Sequence, residues 1–163
     1  MEYRITTLKP KILIGKNNVM SFAMDKTKEL WQSFMPERDK VINRTDENYY
    51  SMQIYPKSFS FETFDPTKEF TKWAAVEVEH ADNVAHGMNK YLLQGGLYAV
   101  FIHRGPASEF SKAYTFIFSQ WLPSSGYELD YREHFEVLPK DYNPTDPNAT
   151  EEIWVPIKKL ERG

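Results

Sequence analysis

A strand that leads directly into a helix governs how the second half of this chain folds, and residues 97–126 read LYAVFIHRGPASEFSKAYTFIFSQWLPSSG. Residues 97–103 are an apolar run with β-branched and aromatic side chains, which is typical of a strand. After Gly105-Pro106 the apolar side chains recur every three or four residues, and this spacing predicts an amphipathic helix that ends at Pro123. The residues with this spacing are Phe110, Tyr114, Ile117, Phe118 and Trp121.

Three further strands complete the second half. Residues 88–94 form an apolar run before Gly95-Gly96, a dipeptide that favours a tight hairpin because both positions tolerate positive φ. After the helix, residues 133–138 and 151–157 have strand-like composition. The second half is therefore predicted to contain a strand region, one helix and two closing strands.

The first half shows the same order of elements. Two β-branched runs within residues 3–19 are separated by Pro10, residues 25–38 have the spacing of a short helix, and residues 49–55 and 70–79 read as strands. The helices share a faint echo, LWQSFMP against IFSQWLP, and the last strands share KWAAV against IWVPI. We interpret the chain as one domain, 1–163, with pseudo-repeats at about 1–80 and 88–158.

This duplication predicts an α+β fold. Two strand-helix-strand-strand modules would form one curved, mainly antiparallel sheet that carries two helices. A groove on the pseudo-twofold axis between the modules would be lined by equivalent positions of each, and such a groove is a natural place for a ligand.

Composition excludes several classes of protein. The chain has 163 residues and a net charge of −3, and 41% of its residues are hydrophobic, which is too many for a disordered segment. It lacks a Lys/Arg cluster and a long apolar run, so we expect no direct contact with nucleic acid, no membrane span and a cytoplasmic location. Without cysteine or a metal-binding histidine pattern, we expect no metal and no cofactor.

Two carboxylates and three aromatic residues are the candidate binding residues. Alternation along residues 151–157 places Glu152 and Trp154 on the face opposite the helix-packed Ile153, and Glu136 on the neighbouring strand is expected to lie near Glu152. A carboxylate among Trp73, Tyr114 and Trp154 would attract a lipophilic cation by charge and by cation–π contact. The alternative is structural: the carboxylates would pair with surface cations, and the aromatic residues would be ordinary core.

The second half resembles a known family. The segments GGLYAVFIHRGPASEFSKAYTFIFSQWLPSSGYELDYREHFEVL and ATEEIWVPIK are similar to the GyrI-like effector-binding domain, which is also the ligand-sensing half of multidrug-responsive and AraC-type transcription activators. The resemblance implies a duplicated fold with an acidic, aromatic-walled pocket. By position, Glu136 resembles the central acidic residue, Glu152 the second, and Trp154 and Tyr114 the walls. The chain resembles stand-alone members, including the integron-cassette type.

Three functions are compatible with this resemblance. The leading hypothesis is a non-catalytic binding protein for small hydrophobic, cationic molecules, held by Glu136 and Glu152 among the aromatic side chains. The second is a hydrolase of electrophilic small molecules that uses a pocket carboxylate. The third is a protein-interaction module of the gyrase-inhibitor type, which would act through its surface on a protein partner.

Overall fold

Residues 1–161 are described by the computed structural model as a nine-stranded sheet with two helices. The strands are β1 (Tyr3–Leu8), β2 (Lys11–Met20), β3 (Tyr49–Ile54), β4 (Phe70–Val78), β5 (Asn89–Leu93), β6 (Gly96–Arg104), β7 (Tyr127–Leu129), β8 (His134–Leu138) and β9 (Thr150–Lys159). The first helix, α1 (Thr27–Phe34), continues into a 3-10 turn, Met35–Lys40. Among residues 1–161, no helix has both the length and the apolarity that a membrane crossing requires.

The second helix is continuous but changes its winding. After a 3-10 turn (Ala107–Glu109) it runs through α2 (Phe110–Thr115), a π-helical segment (Phe116–Trp121) and α3 (Leu122–Ser124). We call residues 110–124 the second helix. It ends one residue after Pro123, in agreement with the sequence prediction.

The order of strands in the sheet is symmetrical between the two halves. The order is β1-β6-β9-β8-β3-β4-β2-β5, and β7 pairs separately with β9. The counterparts are β1 and β5, β2 and β6, β3 and β8, and β4 and β9. If each strand is replaced by its counterpart, the same order is read from the opposite end of the sheet. The pseudo-twofold axis therefore lies between β3 and β8. The predicted α+β fold with duplicated modules is confirmed, with β7 as an additional strand that the sequence reading missed.

The predicted hairpin at Gly95-Gly96 is wrong. Strand β5 pairs with β2, whereas β6 pairs with β1 and β9. Leu8 lies opposite Gly96 and Lys11 opposite Leu93, so one antiparallel register continues across both breaks. β1–β2 and β5–β6 are therefore two long segments that pair in one register from Tyr3 to Gly15 and from Asn89 to Phe101. Gly95 has φ +86° where they cross, and an added Cβ would overlap the Leu8 carbonyl oxygen.

Both helices pack on the same face of the sheet. Ala74, Ser51, Glu136 and Ile153 lie side by side across β4, β3, β8 and β9, so their side chains point to one side. Ala74 belongs to the core beneath α1, and Ile153 belongs to the core beneath the second helix. The opposite face carries a separate buried cluster that includes Met52, Trp73, Tyr98 and Phe135, with Trp154 packed against it.

The apolar stripe of the second helix divides into two rows. Ala113, Ile117 and Trp121 are buried against β6 and β9. Phe110, Tyr114 and Phe118 form a second row, with ring centroids 4.7 Å apart for the first pair and 5.8 Å for the second. This second row does not enter the core and instead forms one wall of the space between the helices.

Candidate functional site

Two connected cavities lie between the helices on the helix-bearing face of the sheet. The first has a volume of about 530 Å³, and we call it the aromatic lobe because Phe22, Tyr55, Phe61, Phe64, Phe70 and Phe118 line it. The second has a volume of about 800 Å³, and we call it the acidic lobe because it contains Glu151 beside Trp31, Tyr49 and Tyr142. Glu136 lines both lobes, as do Asp25, Thr27 and Phe110.

Glu136 occupies the centre of the site because of the strand register. It lies opposite Ser51 on β3 and Ile153 on β9, so its side chain shares the helix-bearing face with Ile153. Since β3 and β8 flank the pseudo-twofold axis, Glu136 lies at the symmetric centre of the sheet. The predicted groove on the axis is present, and Glu136 is at its base.

Two neutral groups hold the Glu136 carboxylate in place. Gln53 Nε2 donates a hydrogen bond of 3.0 Å to Oε2, and the Tyr114 hydroxyl donates one of 2.8 Å to Oε1. Glu136 is 5% exposed. Burial, together with the adjacent Glu136 charge, holds the pKa of Tyr114 well above its usual value, so this hydroxyl remains a donor. These contacts orient the carboxylate but do not neutralise its charge.

Lys72 supplies an amine at the edge of the same site. It lies on β4 opposite Gln53, is 8% exposed and lines the aromatic lobe. Burial lowers its pKa, and the negative charges of Glu136, Asp25 and Glu151 act in the opposite direction. The sequence reading had no reason to select it, because Lys72 alternates with buried residues on an ordinary strand.

Glu151 is the second acidic residue of the site. It pairs with His103 on β6, is 5% exposed and lines the acidic lobe. Burial, followed by the charge of Glu136, raises the pKa of Glu151 to about 8, while Lys72 lowers it. Its carboxyl is therefore mainly protonated at neutral pH. Its Oε1 is buried without a hydrogen-bond partner among the residues described.

The expectation that Glu152 lies near Glu136 is wrong. Glu152 is opposite Val137, on the other face of the sheet, where it forms a 3.1 Å ion pair with Arg4. It also accepts a hydrogen bond of 3.1 Å from Trp154 Nε1. Successive residues of a strand point to opposite faces, so choosing Glu152 instead of Glu151 selected the wrong face.

Trp154 and Trp73 do not line either lobe. Trp154 stacks on Phe135 at 5.1 Å, and Trp73 packs against Tyr91 at 5.4 Å, both on the face away from the helices. The alternative stated in the sequence analysis, that the aromatic residues are ordinary core, applies to Trp154 and Trp73. Of the five candidate residues, the structure brings together Glu136 and Tyr114.

The aromatic lobe has walls that the sequence reading left unassigned. Tyr55, Phe61 and Phe64 line the lobe from the connection between β3 and β4, where aromatic residues, Phe59 among them, occur without strand or helix periodicity. Tyr55 and Phe61 contact the ring of His134 at 5.0 and 5.7 Å. Burial, together with the Arg132 charge, lowers the pKa of His134 to about 3, so this ring is neutral and adds no charge. The presence of four aromatic residues within ten positions of this connection is the sequence signal from which the wall could have been identified.

Comparison with known proteins identifies a family and several structures of the same fold. The sequence profile of the GyrI-like small molecule binding domain matches residues 1–158. The transcriptional regulator BrlR of Pseudomonas aeruginosa is 26% identical over 158 residues, which are 96% of this chain and 56% of BrlR. The chain thus spans little more than half the length of that curated relative.

Two solved structures have the same fold. SAV2435, determined bound to tetraphenylphosphonium, has a TM-score of 0.75 and 17% identity, and the match covers 97% of this chain and 94% of that one. The integron cassette protein VCH_CASS2 of Vibrio cholerae has a TM-score of 0.67 and 16% identity, with coverage of 96% and 95%.

Proposed function

The chain belongs to the GyrI-like small molecule binding family, and from this premise we propose that it binds small hydrophobic cations between its two helices. Glu136 would be the charged partner of the ligand, and the aromatic lobe would enclose the ligand's apolar body. The observation that carries the proposal is the Glu136 carboxylate, which is 5% exposed and held by two neutral donors. A buried carboxylate without an ion pair is costly, and a bound cation would offset that cost.

The surrounding rings suit this class of ligand. Tyr114 and Phe118 stack in parallel with an interplanar angle of 5°, and Phe61 stacks on Phe118 at 4.4 Å. Aromatic faces attract organic cations and bury their apolar groups. That SAV2435 was determined with tetraphenylphosphonium supports the choice of a lipophilic cation as the first probe.

Binding without chemical conversion is part of the proposal. The ligand would be returned unchanged, and the biological effect would come from sequestering it or from signalling to a protein partner.

The test is calorimetric binding of tetraphenylphosphonium to the wild-type protein and to two matched variants. Glu136→Gln keeps the shape and the Tyr114 hydrogen bond but removes the charge. A charge-assisted contact contributes about 1.5–3 kcal/mol, so Kd should rise roughly 10- to 100-fold. Glu152→Gln makes the same change on the opposite face and should leave Kd unchanged.

A neutral aromatic ligand of similar size provides the second comparison. Its Kd should change little in Glu136→Gln. Equal losses for the cation and for the neutral compound would exclude charge pairing with Glu136. If a chemically altered ligand is recovered after incubation, the protein is a catalyst and the proposal of binding without conversion is wrong.

A further inference from the structure

The Lys72 amine is a charged group of the aromatic lobe whose role the cation-binding proposal does not explain. Its ammonium makes no hydrogen bond or ion pair with another residue in the range 1–161, although the charges of Glu136, Asp25 and Glu151 act on it. The side chain is nonetheless 8% exposed and lines the lobe together with Gln53 and Glu136. A buried cation without a partner is unfavourable, and buried polar groups in folded proteins are almost always paired.

Gln53, which lies next to Lys72, also has a polar atom without a hydrogen-bond partner. Its Nε2 donates to Glu136, but its Oε1 is buried without a donor in the part of the chain described. Gln53 and Lys72 are directly opposite each other on β3 and β4, and their side chains point to the same face. One corner of the aromatic lobe therefore has an unpaired cation next to an unpaired acceptor. A negatively charged ligand group next to Lys72 would offset its charge, and a hydrogen-bond donor on the ligand would satisfy the Gln53 Oε1.

The positions of the two charges indicate how one ligand could use both. Lys72 is on β4 and Glu136 on β8, and β3 with Gln53 and Ser51 lies between them. Lys72 lines only the aromatic lobe, whereas Glu136 also borders the acidic lobe. The site thus presents a positive group in the aromatic lobe, and the carboxylates of Glu136 and Asp25 border both lobes.

We propose that the aromatic lobe binds the anionic group of an aromatic ligand, with the Lys72 ammonium as its partner. Acidic aromatic compounds, and amphoteric ones whose cationic end reaches Glu136, would then be ligands of this protein in addition to simple lipophilic cations. This inference rests on the proposed function in that it assigns a ligand class to the same cavity.

Two probes of nearly equal size and shape test this inference. Tetraphenylphosphonium carries one positive charge and tetraphenylborate one negative charge, so a difference between them reports the charge and not the apolar contact. Wild-type protein should bind both. Lys72→Met keeps the length of the side chain without the amine. It should weaken tetraphenylborate binding at least tenfold and should strengthen tetraphenylphosphonium binding, because the repelling charge is gone.

Lys112→Met is the matched control. Lys112 lies on the second helix with its side chain 80% exposed, so its loss should change neither Kd. If Lys72→Met does not fold, Lys72→Gln removes the charge and keeps a polar end. Thermal unfolding of each variant without ligand establishes that the comparison is made between folded proteins.

The outcomes separate this inference from the proposed function. Absence of tetraphenylborate binding to the wild type, or binding that Lys72→Met leaves unchanged, would overturn the role of Lys72 even if the cation binds as expected. Loss of tetraphenylborate binding in Lys72→Met supports the inference, whether or not tetraphenylphosphonium binds. Failure of the wild type to bind tetraphenylphosphonium would contradict only the cation proposal.

Discussion

The Tyr114 hydroxyl donates a 2.8 Å hydrogen bond to Oε1 of Glu136 and thereby joins the second helix to a central strand of the sheet. Burial keeps the pKa of this hydroxyl high, so Tyr114 acts as a neutral donor across the pH range in which the protein is studied. The contact places an aromatic ring and a carboxylate at fixed positions on either side of the cavity. Its contribution can be measured without any ligand.

Tyr114→Phe should destabilise the protein by about 1.5–3 kcal/mol, since it removes a buried hydrogen bond to a carboxylate and keeps the ring. Denaturant unfolding monitors the change. The double variant Tyr114→Phe/Glu136→Leu should cost less than the two single variants together, because each single variant already removes this hydrogen bond. Tyr3→Phe, at an exposed position of β1, is the control and should have little effect. Additive losses would show that the two groups are not coupled.

Glu151 should make the protein less stable as the pH rises. Its pKa is raised from the ordinary value of 4.5 to about 8 in the folded state, so the folded protein binds the proton more tightly than the unfolded chain. The resulting stabilisation is fully present below pH 4.5 and is lost as the pH approaches and passes 8. Thermal unfolding between pH 5 and 9 should therefore show a steeper fall for the wild type than for Glu151→Gln. Glu152→Gln, on the opposite face, should follow the wild type.

His134 should produce the opposite slope at lower pH. Burial lowers its pKa from 6.5 to about 3, so the unfolded chain takes up the proton more readily than the folded protein. The stability that this neutral ring supports is present above pH 6.5 and is lost as the pH falls towards 3. Unfolding of His134→Gln should be less sensitive to acid than unfolding of the wild type in this window. An unchanged acid dependence would show that other groups control it.

Gly95 and Gly87 form a matched pair for testing the strand crossing. Both have positive φ, +86° and +80°, so an alanine at either position carries a strain of about 1 kcal/mol or more. At Gly87 an added Cβ meets nothing within 4 Å, whereas at Gly95 it overlaps the backbone of Leu8. Gly95→Ala should therefore cost about 1–3 kcal/mol more than Gly87→Ala in denaturant unfolding. Equal costs would mean that the crossing is looser than described.

Apolar periodicity was sufficient to predict the helices, the main strands and their duplicated order. The helix containing Ile117 and Trp121 and the strand containing Ile153 carry this signal in their own residues. Which strands become neighbours was not predictable in the same way. Gly95-Gly96 has the composition of a hairpin turn, but the pairing of β6 with β1 depends on residues some 90 positions away.

In the candidate site, too, some residues could be predicted from the sequence, whereas others required the folded structure. Strand alternation and aromatic character made Glu136 and Tyr114 candidates, and the family resemblance supported them, but the hydrogen bond between them needed the tertiary structure. Glu151 and Glu152 are adjacent and chemically identical, so composition could not distinguish them, and only the register of β9 against β6 and β8 assigns their faces. Lys72 and the aromatic connection between β3 and β4 have no periodic pattern, and only the folded chain brings them to the cavity.

The exchange of strands between the halves has a consequence for how the molecule forms. Strand β1 completes the sheet of the second half, and β5 completes that of the first, so neither half can close its own edge. Pairing such as that of Tyr3 with Phe101 spans most of the chain, and its loop-closure entropy must be overcome before the contacts form. Folding is expected to be slow and all-or-none, and the ligand cavity, whose walls come from both halves, can exist only after that single event.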